Sequence, residues 1–342
     1  MKQNELRAPS APWGVYGHAW AVDHLRQSIG HGRVRHAYLM VGAESVGKDT
    51  LARAFAAALL CTDADPDRRP CGVCPSCQRI ASGNHPDVLY TVRGEDETTL
   101  SIDAIRAQIG RLALKPFEGR YRFGIFPDFD QVRPLAQDAL LKTLEEPAPH
   151  AILILLARSI EPILPTITSR SQILHLRPAS LEAVQTVLQE QRGADAEMAA
   201  LLAHLSGGRI GWAIRALNDS EALKQRSAGL DLLMQAMNGS RAQRFELAAD
   251  LGKDRDKAAL GTLLALWQSF WRDLLLRCHD APVDPANIDR QEALDQLAAA
   301  LTPDEALRAM EATNRVIERL GTNINQRLAL EVMLLDFPGL SR

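Results

Sequence analysis

Gly42-Ala-Glu-Ser-Val-Gly47-Lys48 has the residue types and spacing to hold a phosphate. Two glycines let a backbone wrap around an oxyanion, and the lysine adds a point charge. The loop follows a short apolar run, Ala37 to Val41. It precedes a helical pattern with Leu51, Ala54, Phe55, Ala58 and Leu59 on one face. Strand, glycine-rich loop and helix in that order are the setting a phosphate loop needs. The next residue conflicts with that use. A working loop carries Ser or Thr after the lysine to ligate Mg²⁺. Here Asp49 stands there, and Thr50 is one position late. A carboxylate about 4 Å from a phosphate charge is repelled by about 4 kcal/mol at an effective dielectric near 20. Asp49 alternatively serves the helix N-terminus, where an acid is favourable. The pattern predicts a cradle that keeps its shape and has lost hydrolysis.

A second constellation is C-x9-C-x2-C-x2-C. Of the five cysteines, Cys61, Cys71, Cys74 and Cys77 fall within seventeen residues. Cys71, Cys74 and Cys77 are expected on one tight loop, with Cys61 closing the set from the end of the preceding helix. Such clustering argues for a metal rather than disulfides. Four thiolates satisfy tetrahedral Zn²⁺ with no open position, so the site would be structural. Cys278 lies among Leu274, Leu275 and Leu276 and reads as a core residue.

Further charged residues stand at strand and helix ends. Asp128 follows the apolar run Arg122 to Phe126, where an acid can orient Mg²⁺. Phe129 occupies the place of a glutamate that would polarise water, and Asp130 is two residues past Asp128. Glu145 and Glu146 end a helical run and oppose its dipole, which hints at a partner. Arg170 precedes the last strand candidate, at a sheet edge from which it could reach a neighbour's phosphates.

The elements that must position these groups alternate. Strands are expected at Ala37–Val41, Val88–Val92, Arg122–Phe126, Ala151–Leu156 and Ile173–Leu176. Helices are expected at Ala19–Ile29, after Lys48, after an N-cap at Ser101, and from Pro134 to Pro147. Residues 1 to about 18 read as a lead-in loop. This alternation predicts an open parallel α/β sheet. From Ser180 onward the periodicity is helical, in three helices to about 218 and a larger block from about 221 to 336. Breaks fall at Asn218-Asp219-Ser220, Gly239, Asp284-Pro285 and Thr302-Pro303.

With 342 residues, two or three domains are expected. A net charge of −3 gives no overall basic field, which argues against tight autonomous nucleic-acid binding. The longest apolar run, Ala151 to Ala157, is far too short to span a membrane. The N-terminal stretch has no signal-peptide core, so a cytoplasmic location is expected.

Taken together, the loop Gly42 to Lys48, the four cysteines, His85-Pro86-Asp87, the run Ala139-Leu-Leu-Lys-Thr-Leu-Glu-Glu-Pro147, Ser169-Arg170 and Leu205-Ser206-Gly207-Gly208 resemble the AAA+ clamp-loader family of bacterial replication. The family has a Ser-Arg-Cys motif where Ser171 stands third here. The resemblance covers nearly the whole α/β part and the lid, whereas the C-terminal helices match by position and character. It implies an α/β plus all-α chain. An AAA+ domain, 1–178, would carry a four-cysteine zinc insertion at 61–77. A helical lid, 179–220, and a helical oligomerisation collar, 221–342, would follow. Partners would be the tau/gamma ATPase subunits and delta, with the sliding clamp and primer–template DNA reached through the complex, and no membrane.

Four departures from an active relative point one way. Asp49 replaces the Mg²⁺ hydroxyl, and Phe129 the catalytic glutamate. Ala157 stands for a polar sensor, and Gly211 for a sensing arginine, with Arg209 two residues early. They argue against hydrolysis and put ATP binding at Gly42, Gly47, Lys48 and Asp128 in doubt. Arg170, the arginine finger that would serve a neighbour's ATP, is retained. This is the pattern of a non-hydrolysing stator. The alternatives are an active motor subunit of the same machine, favoured by Lys48 and Asp128, a zinc-dependent nucleic-acid-binding module, and a passive scaffold.

Overall fold

The computed structural model describes residues 12–92, 94, 99–253, 257–320 and 325–339. The chain divides into two compact units, 1–193 with 208–212, and 194–207 with 213–342. The part of the expected lead-in loop before residue 12 lies outside the described residues. Pro12–Gly14 forms a 3₁₀ turn rather than open loop.

The first unit is built on a five-stranded parallel sheet: β1 Ala37–Val41, β2 Val88–Tyr90, β3 Arg122–Phe126, β4 Ala151–Ala157 and β5 Gln172–His175, in the order β2-β3-β4-β1-β5. β1 and β4 pair from Ala37 with Leu153 to Val41 with Ala157, and every residue of both is buried. A central parallel strand covered on both faces reads as an unbroken apolar run, as this one does. Side chains alternate between faces along a strand. Tyr38, Met40, Ile152, Ile154 and Leu156 therefore join one core, with Val22, Leu25, Leu51 and Phe55 from helices α1 (Ala19–Gly30) and α2 (Lys48–Leu60). Helix α3 (Pro75–Ala81) adds Cys77 and Ile80 to that side.

Leu39, Val41, Leu153 and Leu155 join the opposite core. That core holds Ile105 and Leu112 of α4 (Ile102–Ala113), Ala136 of α5 (Pro134–Gln137), Leu144 of α6 (Leu141–Glu145) and Ile167 of α7 (Pro165–Thr168). Ser101 caps α4, its hydroxyl accepting from the Ala104 N–H at 3.3 Å. A short α8 (Leu181–Thr186) runs into a π turn, Val187–Gln191.

Several expected limits shift. β2 ends at Tyr90, and β5 begins at Gln172 and ends at His175. The single helix expected from Pro134 to Pro147 is interrupted by a 3₁₀ turn, Asp138–Leu140. Gln137, at the break, is fully buried. Its amide donates to the Val132 and Pro162 carbonyls and accepts from the Leu164 N–H. Tertiary hydrogen bonds, not local propensity, decide the backbone there.

The second unit is helical: α9 (Ala196–Ser206), the latter part of α10 (Ile210–Asn218), α11 (Ser220–Asn238), α12 (Arg241–Lys253), α13 (Lys257–Cys278), α14 (Gln291–Ala300), α15 (Pro303–Arg319) and α16 (Gln326–Leu335). Of the expected breaks, Gly239 ends α11, Asp284-Pro285 lies in the connection after α13, and the other two are capped helix starts. Asp219 caps α11, and Thr302 with Glu305 forms a capping box on α15. The core gathers Leu233 and Met237, then Leu264, Trp267, Phe270 and Trp271 of α13, then Leu330, Met333 and Phe337. The buried Trp267 indole donates to the Gly229 carbonyl at 2.8 Å. Arg244 is also buried, and its guanidinium donates to the carbonyls of Leu334, Phe337, Pro338 and Met237 at 3.0, 2.6, 2.9 and 3.4 Å.

Candidate functional site

The phosphate loop lies between β1 and α2. Gly42 donates its N–H to the Ala157 carbonyl at the end of β4. A Cβ at Gly42 would stand 2.3 Å from the Leu176 carbonyl, so only glycine fits this start of the loop. Ser45 and Gly47 adopt left-handed backbone, φ 62° and 113°. The buried His18 ring donates from Nε2 to the Val46 carbonyl at 2.8 Å and holds the loop from below.

Within the loop the lysine is turned onto its own backbone. Lys48 Nζ donates to the Gly42 and Ala43 carbonyls at 2.6 and 2.8 Å. Burial lowers its pKa, opposed by Asp130 and, more weakly, Asp128, while Arg158 adds to the lowering. Asp128 thus lies within electrostatic reach of Lys48. Asp128 takes a left-handed backbone, φ 46°.

The departures each acquire a physical meaning. Asp49 is drawn sideways: it accepts from the Tyr90 hydroxyl at 2.7 Å and from Arg53 Nε at 2.8 Å. Arg53 also stacks over the Tyr90 ring, 4.8 Å from its centroid. Asp49 thus joins α2 to the sheet edge. Phe129 is fully buried, edge-on to Phe126 with ring centroids 6.3 Å apart, so a core residue stands where a catalytic acid would project. Asp130 spends an oxygen on the Arg158 N–H at 2.9 Å. Ala157 is buried at the end of β4 and offers no polar group. Gly211 sits directly on the loop: its N–H donates to the Ser45 carbonyl at 2.9 Å, and a Cβ there would lie 2.8 Å from that oxygen. No side chain, arginine included, fits at 211 without moving the loop.

Arg170 stands elsewhere, just past the end of α7. Its side chain is 38% exposed. Nη2 pairs with Glu145 Oε1 at 3.0 Å, and Nη1 donates to the Thr166 carbonyl at 3.1 Å.

The four cysteine sulfurs lie within 4.8 Å of one another, and Cys61 and Cys74 Sγ are 3.9 Å apart. Sulfurs at about 2.3 Å from a tetrahedral ion are about 3.8 Å apart, so the set fits a metal held by sulfur alone. Cys61 caps the end of α2. Cys77 lies inside α3 rather than on a loop, because Cys74 acts as the N-cap and its sulfur accepts the Cys77 N–H at 3.4 Å. The Cys71 and Cys74 N–H groups donate to the Cys61 and Cys71 sulfurs at 3.4 and 3.3 Å. At Cys74 the effect of burial is outweighed by hydrogen bonds from Thr62 and Cys77, and its pKa falls to about 6. Burial and the neighbouring thiols push Cys77 upward. Cys278 is partly buried against the helical core.

His85-Pro86-Asp87 ties this insertion to the sheet. The His85 ring accepts the Asp87 N–H at Nδ1, so Nε2 carries the proton and donates to Ser76 of α3 at 2.9 Å. Asp87 is fully buried and accepts three successive N–H groups, from Phe117, Glu118 and Gly119, at 2.7, 2.9 and 3.1 Å. Arg122 Nε lies 3.8 Å away.

Comparison with known proteins gives the family. Residues 17–180 match the family model described as "DNA polymerase III, delta subunit", and residues 220–338 match "DNA polymerase III, delta subunit, C terminal". The DNA polymerase III subunit delta′ of Escherichia coli (strain K12) is 30% identical over 319 residues, covering 92% of each chain. The chain belongs to the DNA polymerase III delta′ family. Delta′ of Pseudomonas aeruginosa is 34% identical over 55% of this chain and 58% of its own. The gamma/tau subunit of Mycobacterium tuberculosis (strain H37Rv) is 34% identical over 52% of this chain, which spans 31% of that protein's length.

For this delta′ family member, sequence reasoning missed the partners rather than the residues. Asp49 is visible as an anomaly, but Tyr90 is forty-one positions away. Glu145 is visible as an acid in an unfavourable place, and its partner is Arg170. No helix among the described residues is long and apolar enough to cross a membrane.

Proposed function

We propose that the chain is a clamp-loader subunit that works as a non-hydrolysing stator. In this reading it assembles with tau/gamma-type ATPase subunits and delta, and helps place the sliding clamp on primed DNA. Arg170 completes the ATP site of a neighbouring subunit as an arginine finger. The chain's own loop turns over no ATP. The α/β domain is taken as 1–178, the lid as 179–220 and the collar as 221–342, with the collar joining it to its partners.

The observation that carries this reading is a contrast. Around the phosphate loop, Asp49 is bound to Tyr90 and Arg53, Phe129 is core, and the Gly211 backbone occupies the loop's rim. Arg170, by comparison, keeps a half-exposed guanidinium at a sheet edge.

The test is reconstitution with the ATPase partners and measurement of clamp- and DNA-stimulated ATP hydrolysis. Arg170→Ala is expected to lower turnover at least tenfold, an arginine finger being worth about 10³–10⁵ at the site it serves. Lys48→Ala is expected to leave it unchanged. A fall with Lys48→Ala as well would restore the motor reading. No change with either, in an intact assembly, would leave a scaffold.

Zinc is the metal we assign to Cys61, Cys71, Cys74 and Cys77, since four thiolates in tetrahedral reach suit it and leave no open position. Chelation is expected to speed hydrogen exchange in residues 61–81 and leave α12 to α16 protected. Exchange rising uniformly over the chain would contradict a local structural role.

A further inference from the structure

Glu145 is the last residue of α6, and a carboxylate there opposes the helix dipole. An acid in that position needs a compensating cation, and the structure supplies Arg170. The guanidinium is held on two sides. Nη1 bonds the Thr166 carbonyl at 3.1 Å and the Ser169 hydroxyl at 3.5 Å. Thr166 belongs to the last turn of α7, whose final carbonyls have no partner within the helix. Nη2 bonds Glu145 at 3.0 Å. Both short helices are anchored by buried residues, Leu144 in α6 and Ile167 in α7. The geometry is therefore fixed from the core outward, and the arginine's long side chain is confined to one arrangement by groups on two different elements.

We infer that Glu145 is a positioning residue for Arg170: it holds the guanidinium in the orientation from which it meets an anionic group on a neighbouring subunit. This rests on the proposed in-trans role of Arg170. A free arginine stem would lose its rotamer freedom on each encounter, whereas a held one has lost it beforehand. The carboxylate engages one edge of a five-donor fork, so a phosphate oxygen can be met by the same guanidinium without displacing it. The pair is partly exposed, so its effect is modest in size.

The experiment uses the reconstituted assembly with five versions of this chain: unaltered, Glu145→Gln, Glu145→Asp, Arg170→Ala, and Glu145→Gln with Arg170→Ala. Glu145→Gln is expected to lower maximal ATP turnover about fivefold with the KM for ATP unchanged, since the residue touches no nucleotide. Glu145→Asp should recover part of the loss. In the Arg170→Ala background Glu145→Gln should do nothing more, because its effect passes through that side chain. The inference is overturned if Glu145→Gln leaves turnover unchanged or raises it. It is equally overturned if Glu145→Gln costs the same factor with and without Arg170, which would mark a structural defect in α6. If Arg170→Ala itself has no effect, the in-trans reading fails and this inference falls with it. If Arg170→Ala acts and Glu145→Gln does not, only the positioning role is lost.

Discussion

Replacing Arg244 by alanine is expected to destabilise the helical unit by about 3–5 kcal/mol. Its guanidinium closes the ends of two helices at once. Leu334 lies in the last turn of α16, and Met237 in the last turn of α11. Their carbonyls lack partners within the helices, and Arg244 supplies both, along with Phe337 and Pro338 beyond. A cation is also favourable at a helix C-terminus. Burial, and next the nearby Arg241 charge, lower its pKa, yet an arginine remains charged throughout the working range. Alanine would remove the donor to four buried carbonyls and open a cavity beside Phe337, whose ring packs edge-on to Trp267 and to Trp271. Urea unfolding followed by tryptophan fluorescence would measure the loss. Arg244→Lys should recover part of it, because an ammonium has donors but cannot span both helix ends. An unchanged midpoint for the alanine variant would mean that water satisfies those carbonyls and the residue is dispensable.

The second large effect concerns Asp87. Asp87→Asn is expected to destabilise the α/β unit by about 3 kcal/mol. The carboxylate accepts three N–H groups and sits beside Arg122, and an amide would turn a donor toward donors. Burial alone would raise the Asp87 pKa. The N–H groups of Glu118, Phe117 and Gly119 and the Arg122 charge outweigh it and hold the carboxyl below the usual value. A depressed folded pKa stabilises the native state above the unfolded value, near about 3.9. That contribution disappears as pH falls through the lower folded pKa. The gap between the parent chain and Asp87→Asn should therefore be full at neutral pH and narrow on acidification below about pH 4. A gap independent of pH over that range would show that shape, not charge, is what Asp87 provides.

Much of the fold could be read along the chain because it follows from local repeats. The unbroken apolar run of β4, the cap at Ser101, the break at Thr302-Pro303 and the proline at the start of α5 carry their signals within a few residues. The cysteine set was legible for the same reason, since the ligands crowd into seventeen positions. What stayed hidden lies in pairings across long separations. Arg244 reaches Leu334 from ninety positions away. In sequence it is one polar residue in a helix. Gly211 reads as a missing arginine, and only the folded chain shows its N–H on Ser45. Cys77 was expected on a loop, since nothing in the spacing announces a cysteine sulfur serving as a helix cap. The broken helix after Pro134 has the same origin, in the non-local bonds of Gln137.

Helix α2 starts at Lys48, and Cys61 caps its far end. Thirteen residues at about 1.5 Å each make a rod about 20 Å long. A metal held by the four cysteines would lie at the far end of that rod from the loop carbonyls that hold Lys48. A shift of the Cys61 cap is therefore expected to be carried along α2 to the loop at its other end.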